Sequence, residues 1–263
     1  MTPSASQELR RTPPRRAARA AAATPVPSGA TGSQHRLSSW PSAETFEPRP
    51  RSEAASRVVN VVLATLMLLV AAPIMVITAA LVRLTSRGPV LYTQTRVGLD
   101  RRWNRSTALR ERRREDLGGE PFTILKFRSM RLDAEPHGHA VWAAANDTRV
   151  TPIGRFLRKT RIDELPQLFN VLVGHMNIVG PRPERPSIFV RLREQIAEYP
   201  ARQRVKPGIT GLAQVSNPYD SCLDDVRRKV SYDLLYMRRQ SLGEDLRIML
   251  LTVPVMLFRI GSR

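Results

Sequence analysis

From Val58 to Val82 the chain carries no charged residue. A helix of that length can cross a hydrocarbon core of roughly 30 Å. Uncharged runs this long are unusual inside soluble domains, so whatever else the chain folds into is expected to be tied to a membrane. The flanks argue against a simple crossing. Arg51 and Arg57 precede the run and Arg83 and Arg87 follow it, so the basic asymmetry that orients spanning helices is missing. Pro73, near the middle, removes an amide donor and frees the carbonyl of Leu69. Together these features predict a membrane-inserted helix over 51–87 that breaks or bends at Pro73 and returns to the face it entered from. A kinked spanning helix is the alternative.

Residues 1–50 are rich in Ala, Pro, Ser and Arg and poor in bulky apolar side chains. Such a segment cannot bury enough surface to offset its ordering entropy and reads as a disordered basic tail. The chain holds 42 Lys and Arg against 23 Asp and Glu, a net charge of +19. That excess suits an anionic partner: nucleic acid, acidic lipid or a phosphorylated substrate. Nucleic acid is set aside, because no recognition motif or aromatic stacking pattern accompanies the charge. A lone cysteine, Cys222, excludes an internal disulfide framework and fits a reducing compartment. His35, His137, His139 and His175 are too scattered to suggest a zinc site.

The remainder, 88–263, reads as one domain. "GPVLYTQTRVG" and "EPFTILKFRSM" are short strands bounded by Gly and Pro. The basic stretch 100–119 between them is an insertion suited to a surface loop, and its Trp103 and arginines would suit a headgroup layer. Ser187 to Tyr199, 220–241 and 244–260 read as helices, and "RVKPGITGLAQVS" as a loop. The last helix is apolar but too short between Arg247 and Arg259 to span, so it should pack on the core or lie at the interface. The fold class is therefore α+β: a small membrane-associated domain with a re-entrant, Pro-broken helix, short strands and several amphipathic helices.

The densest chemistry lies in "RKTRIDELPQLFNVLVGHMNIVGPRPERP". Asp163 is expected to cap a helix whose first turn holds Glu164, Leu165 and Pro166. Leu165, Leu168, Phe169 and Leu172 would dock that helix on a core. A helix N-terminus would keep Asp163 ionised and attract phosphate. An Asp-Glu at a helix start is by itself an ordinary cap, and the flanking charges could be a solvated face. Against that reading, Arg155, Arg158, Lys159 and Arg161 precede the pair, and Pro181 and Pro183 stiffen the backbone around Arg182. A rigid arginine is well suited to bidentate phosphate contact.

Taken in order, these stretches, with "VKPGITGLAQV" and "SYDLLYMRRQSLGEDLRIMLLT", resemble the bacterial sugar transferase family. These are monotopic polyprenyl-phosphate phosphoglycosyl transferases that initiate exopolysaccharide or O-antigen assembly. The resemblance covers the chain from about Arg57 onward. It implies transfer of a sugar 1-phosphate from a UDP-sugar to polyprenyl phosphate, with release of UMP, through a covalent aspartyl phosphosugar. On that pattern Asp163 is the nucleophile and Glu164 a Mg²⁺ ligand. Arg158 and Arg182 contact phosphate, and Lys126, Arg128 and Lys206 line the site. The partners implied are the UDP-sugar, polyprenyl phosphate and anionic membrane lipids, with a homodimer compatible. The location implied is the cytoplasmic face of the bacterial inner membrane. Two departures stand out: Ala72 where the family often has Ser before the helix-breaking proline, and the long 100–119 insertion. The rival reading is an inactive relative or membrane-tethered adaptor of the same pathway.

Overall fold

The computed structural model describes residues 43, 45–103, 117–134, 147–216 and 223–257. Most of the basic tail, the middle of the insertion, Cys222, His35, His137 and His139 lie outside the described residues. Helix α1 spans Glu53–Thr85. The Ser52 hydroxyl caps it by accepting from the Ala55 N–H at 3.2 Å, and Glu53 and Arg83 match the helix dipole at the two ends. The expected break at Pro73 is not a break: helical conformation continues from Glu53 to Thr85. One missing donor is a small loss against the cooperative hydrogen bonding of long flanking segments.

The body of the protein holds α1 by its two ends. Ser56, Asn60 and Ala64 are buried near the start and Thr78 and Val82 near the finish, each set spaced by four residues on one helix face. The middle is bare and apolar, with Leu69 68% and Val70 83% exposed. An exposed apolar surface of this kind marks an interaction site.

Strands β1 (Leu91–Val97) and β2 (Pro121–Phe127) pair antiparallel, with Leu91 opposite Phe127 and Val97 opposite Pro121. Helix α2 (Pro152–Thr160) follows, capped by the Thr151 hydroxyl, and α3 spans Gln167–Val173. Asn170 locks α3 to β2: its side chain accepts from the Leu125 N–H at 3.0 Å and donates to the Thr123 carbonyl at 2.7 Å. Leu168 is buried as expected, whereas Phe169 is exposed on the outer side of the helix.

The stretch read as a loop contains a strand. β3 (Asn177–Val179) pairs in parallel with β4 (Gly208–Thr210). The two backbones approach so closely that a Cβ on Gly208 would lie 2.1 Å from the Gly180 nitrogen. Helix α4 (Pro186–Arg193) is shorter than expected and gives way to a 3₁₀ stretch at Tyr199–Arg204. Helices α5 (Leu212–Ser216), α6 (Leu223–Arg239) and α7 (Leu242–Leu257) complete the described chain.

Phe189, Tyr199, Val230, Leu234 and Met237 form the centre of the core. Beside them lies a fully buried ion pair, Arg202 to Asp233 at 2.6 Å, and Arg202 also donates to the Arg182 carbonyl at 3.1 Å. Arg202→Met leaves the buried Asp233 without its hydrogen-bonded partner, with only the more distant Lys229 charge remaining, and removing one member of such a pair costs about 3–5 kcal/mol. A correspondingly lowered thermal midpoint in detergent is the expected result; an unchanged midpoint would show the pair to be dispensable.

Candidate active site

Helix α2 ends because Arg161 adopts the left-handed conformation, φ 59°, the one non-glycine residue with positive φ among the described residues. That conformation costs roughly 1–2 kcal/mol for an L-residue. It turns the chain into a 3₁₀ turn, Ile162–Glu164, which carries the carboxylate pair. Asp163 therefore does not cap α3, whose N-cap is Pro166. The expected helix-terminus stabilisation of its charge is missing.

Glu164 is buried and clasped by two cations: Lys126 Nζ at 2.8 Å and Arg182 at 2.6 Å, both on Oε1. Burial opposes its ionisation, but Arg182 and Lys126 outweigh burial and hold the carboxyl well below its usual range. Burial pulls the Lys126 ammonium down against the pull of Glu164. Asp163 is in a different state. It is 7% exposed, and its Oδ1 is buried with no hydrogen-bond partner among the described residues. Burial first, and then the Glu164 charge, push its carboxyl up to about 6, against Lys126, Arg182 and Arg158. The neighbours are thus divided, one fixed as an ion-pair hub and the other a desolvated, under-solvated carboxylate.

Both open on a cavity of about 670 Å³, which Lys126, Arg158 and Arg182 also line. Five of the expected site residues are brought together there. Two are not. Arg128 turns away, donating to the Ser86 and Arg87 carbonyls at 2.8 Å each, where it fastens the end of α1. Lys206 lines a separate cavity of about 490 Å³ with Arg57 and His175.

Sequence reasoning missed Arg96 of β1 and Lys229 of α6, which also line the main cavity. Lys229 pairs with Glu184 at 3.0 Å. Burial opposes ionisation of Glu184, but Lys229, Arg202 and Arg96 bring its carboxyl to about 2. The acid inside the basic "PRPERP" loop was the available signal, since such an acid needs internal cations.

Among the described residues no three His, Cys, Asp or Glu side chains converge on one point. Asp163, Glu164 and Glu184 are the carboxylates that line the main cavity, and Glu164 is the one expected to hold a divalent ion. One or two carboxylates, with phosphate and water supplying the rest, are what Mg²⁺ takes on a diphosphate substrate. Glu164 would hold such an ion while sharing its oxygens with Lys126 and Arg182, and the unpartnered Oδ1 of Asp163 stays available for other chemistry.

A desolvated carboxylate, a second one locked among cations, and a basic rim are groups suited to anionic ligands. The model of the bacterial sugar transferase family matches residues 51–259, and the chain belongs to that family. It is 40% identical over 199 residues to a UDP-glucose:undecaprenyl-phosphate glucose-1-phosphate transferase of Klebsiella pneumoniae, covering 75% of this chain and 39% of that protein. Over 216 residues it is 38% identical to a UDP-N-acetylgalactosamine-undecaprenyl-phosphate N-acetylgalactosaminephosphotransferase of Aeromonas hydrophila, covering 82% and 47%. Against a UDP-glucose:undecaprenyl-phosphate glucose-1-phosphate transferase of Caulobacter vibrioides, identity is 39% over 212 residues, covering 80% and 72%. The chain thus spans less than half the length of the first two relatives.

Proposed function

We propose that the protein transfers a sugar 1-phosphate from a UDP-sugar to polyprenyl phosphate, as the first step of an extracellular glycan. An Asp163 carboxylate oxygen attacks the phosphorus that bears the sugar. The bond to the bridging oxygen breaks and UMP departs with that oxygen. An oxygen of polyprenyl phosphate then attacks the same phosphorus, and Asp163 leaves as the carboxylate. The product is a polyprenyl diphosphate sugar, and the enzyme is restored.

The observation that carries this reading is the partnerless, buried Oδ1 of Asp163 at a cavity rimmed by Arg158, Lys126 and Arg182. A carboxylate nucleophile divides one displacement into two easier ones. Burial without hydrogen bonds keeps it basic, and the neighbouring cations offset charge on the phosphoryl oxygens. Mg²⁺, when held by Glu164, would supply further charge neutralisation.

The grip on α1 supports the re-entrant arrangement. One domain touches both ends of the helix, through Arg57 on the Val171 and Leu172 carbonyls and through Arg128 on Ser86. The ends of a spanning helix lie on opposite faces of the bilayer, where one domain could not hold both. The domain then rests on one leaflet, on the cytoplasmic face of the inner membrane, where acceptor and anionic lipids meet it.

The test mixes purified full-length protein with a UDP-sugar labelled in the phosphate next to the sugar, without lipid. Label bound to protein together with released UMP is the expected result. UMP formed only when lipid is present, with no label on protein, would overturn the covalent route. Because the relatives act on glucose and N-acetylgalactosamine nucleotides, a panel of UDP-sugars in the same assay assigns the donor.

A further inference from the structure

The main cavity has two unlike halves. Part of its lining is ionic, with Asp163, Arg158 and Lys126, and another wall is apolar. That wall is built by α7, whose Met249, Thr252, Val253 and Met256 recur at helical spacing and line the cavity together. The Thr252 hydroxyl bonds to the Thr210 hydroxyl at 2.7 Å and fixes this face of α7 against β4. A second, adjacent stripe of α7 lies open. Leu246 is 55% and Leu250 64% exposed, and Val253, at 51%, belongs to both stripes. Met67 of α1 also lines the cavity and is itself 43% exposed, beside the bare Leu66 and Val70. The cavity is therefore continuous, at Met67 and Val253, with the apolar surface that the two helices present.

An opening with an ionic lining, an apolar throat and an apolar apron fits a molecule with a phosphate head and a long hydrocarbon tail. A UDP-sugar has no part that would gain from the throat. We infer that Met67, Met249, Val253 and Met256 form a lateral gate between α1 and α7. Through it the polyprenyl phosphate enters from the leaflet, its first isoprene units lodging in the throat while its phosphate reaches Asp163. Unbranched methionines suit such a passage, because they repack around a branched chain at little cost. The inference rests on the transferase reading and adds the route and contacts of the acceptor.

The two half-reactions separate the inference from that reading. Val253→Asp puts a charge in the gate of the full-length protein in nanodiscs. Leu250→Asp puts the same charge one turn earlier, on the apolar face but off the cavity. Met249→Trp narrows the throat without charge. Loading of label from the UDP-sugar is measured first, and then its discharge to undecaprenyl phosphate. For Val253→Asp and Met249→Trp, discharge relative to loading falls about tenfold or more and the KM for the lipid rises, whereas the ratio for Leu250→Asp stays within about threefold of wild type. Equal losses in the two aspartate variants would assign the effect to membrane seating and overturn the gate. Undiminished discharge in Val253→Asp and Met249→Trp would overturn it as well. If the wild-type protein takes no label, the covalent route fails instead. The gate is then judged by whether the same variants raise the KM for the lipid and not that for the UDP-sugar.

Discussion

Asp163→Asn abolishes transfer, by at least about a thousandfold in kcat/KM, and at the same time makes the folded protein harder to melt at neutral pH. The two effects have one cause. The carboxylate is 7% exposed and its Oδ1 has no partner among the described residues, so its charge is poorly solvated. That state favours attack on phosphorus and disfavours folding. Burial and Glu164 raise the folded carboxyl to about 6 from an ordinary value of 3.8. Between those values the native state binds more protons than the unfolded chain, so stability falls as pH rises through this window. Above pH 6 the cost is complete and of order 1–3 kcal/mol. An amide of the same shape does not incur it.

The expected measurement is a thermal midpoint for Asp163→Asn a few degrees above wild type at pH 7.5, with the gap closing by pH 4. A purely structural role for Asp163 would give a lower midpoint and sink the assignment. The same raised value sets the activity profile. Attack requires the carboxylate, so loading of label should fall about tenfold per pH unit below pH 6.

How much of this could be read without coordinates depends on whether side-chain direction was set locally. Arg158, Asp163, Glu164 and Arg182 lie within one contiguous stretch whose prolines and charges advertise it, and they meet in the structure. Lys126 and Arg128 would share a face in a continuing strand. β2 stops at Phe127, however, and Arg128 swings to the end of α1 instead. Nothing in "KFRSM" announces that stop. The paired strands β3 and β4 are three residues each, too short for periodicity to register, and they exist because Gly180 and Gly208 let two backbones touch. Asp163 looked like a cap because the pattern suits one. The left-handed Arg161, an unfavourable conformation that only tertiary packing sustains, changed its role.

Glu164→Gln is expected to fail in a different way, with three linked signatures. The first is structural: Lys126 and Arg182, both on Glu164 Oε1, lose their shared counter-charge in a buried setting. Taking this carboxylate from two partly buried cations costs roughly 1–3 kcal/mol, so this variant melts earlier whereas Asp163→Asn melts later. The second is catalytic. Arg182 is aimed by Glu164, and without that anchor the guanidinium no longer meets the phosphate in a fixed pose, for a loss of about a hundredfold or more in kcat/KM. The third is diagnostic. The Glu164 charge helps to raise the Asp163 carboxyl, whereas Lys126, Arg182 and Arg158 lower it. Without the Glu164 charge only burial opposes those cations, so the acid limb of the residual activity shifts below pH 6. Loss of activity and stability alone could come from any disrupted core. A limb that moves downward ties Glu164 to the basicity of Asp163, whereas a limb that stays at pH 6 would mean that burial alone sets the nucleophile and that Glu164 serves only to hold the cations.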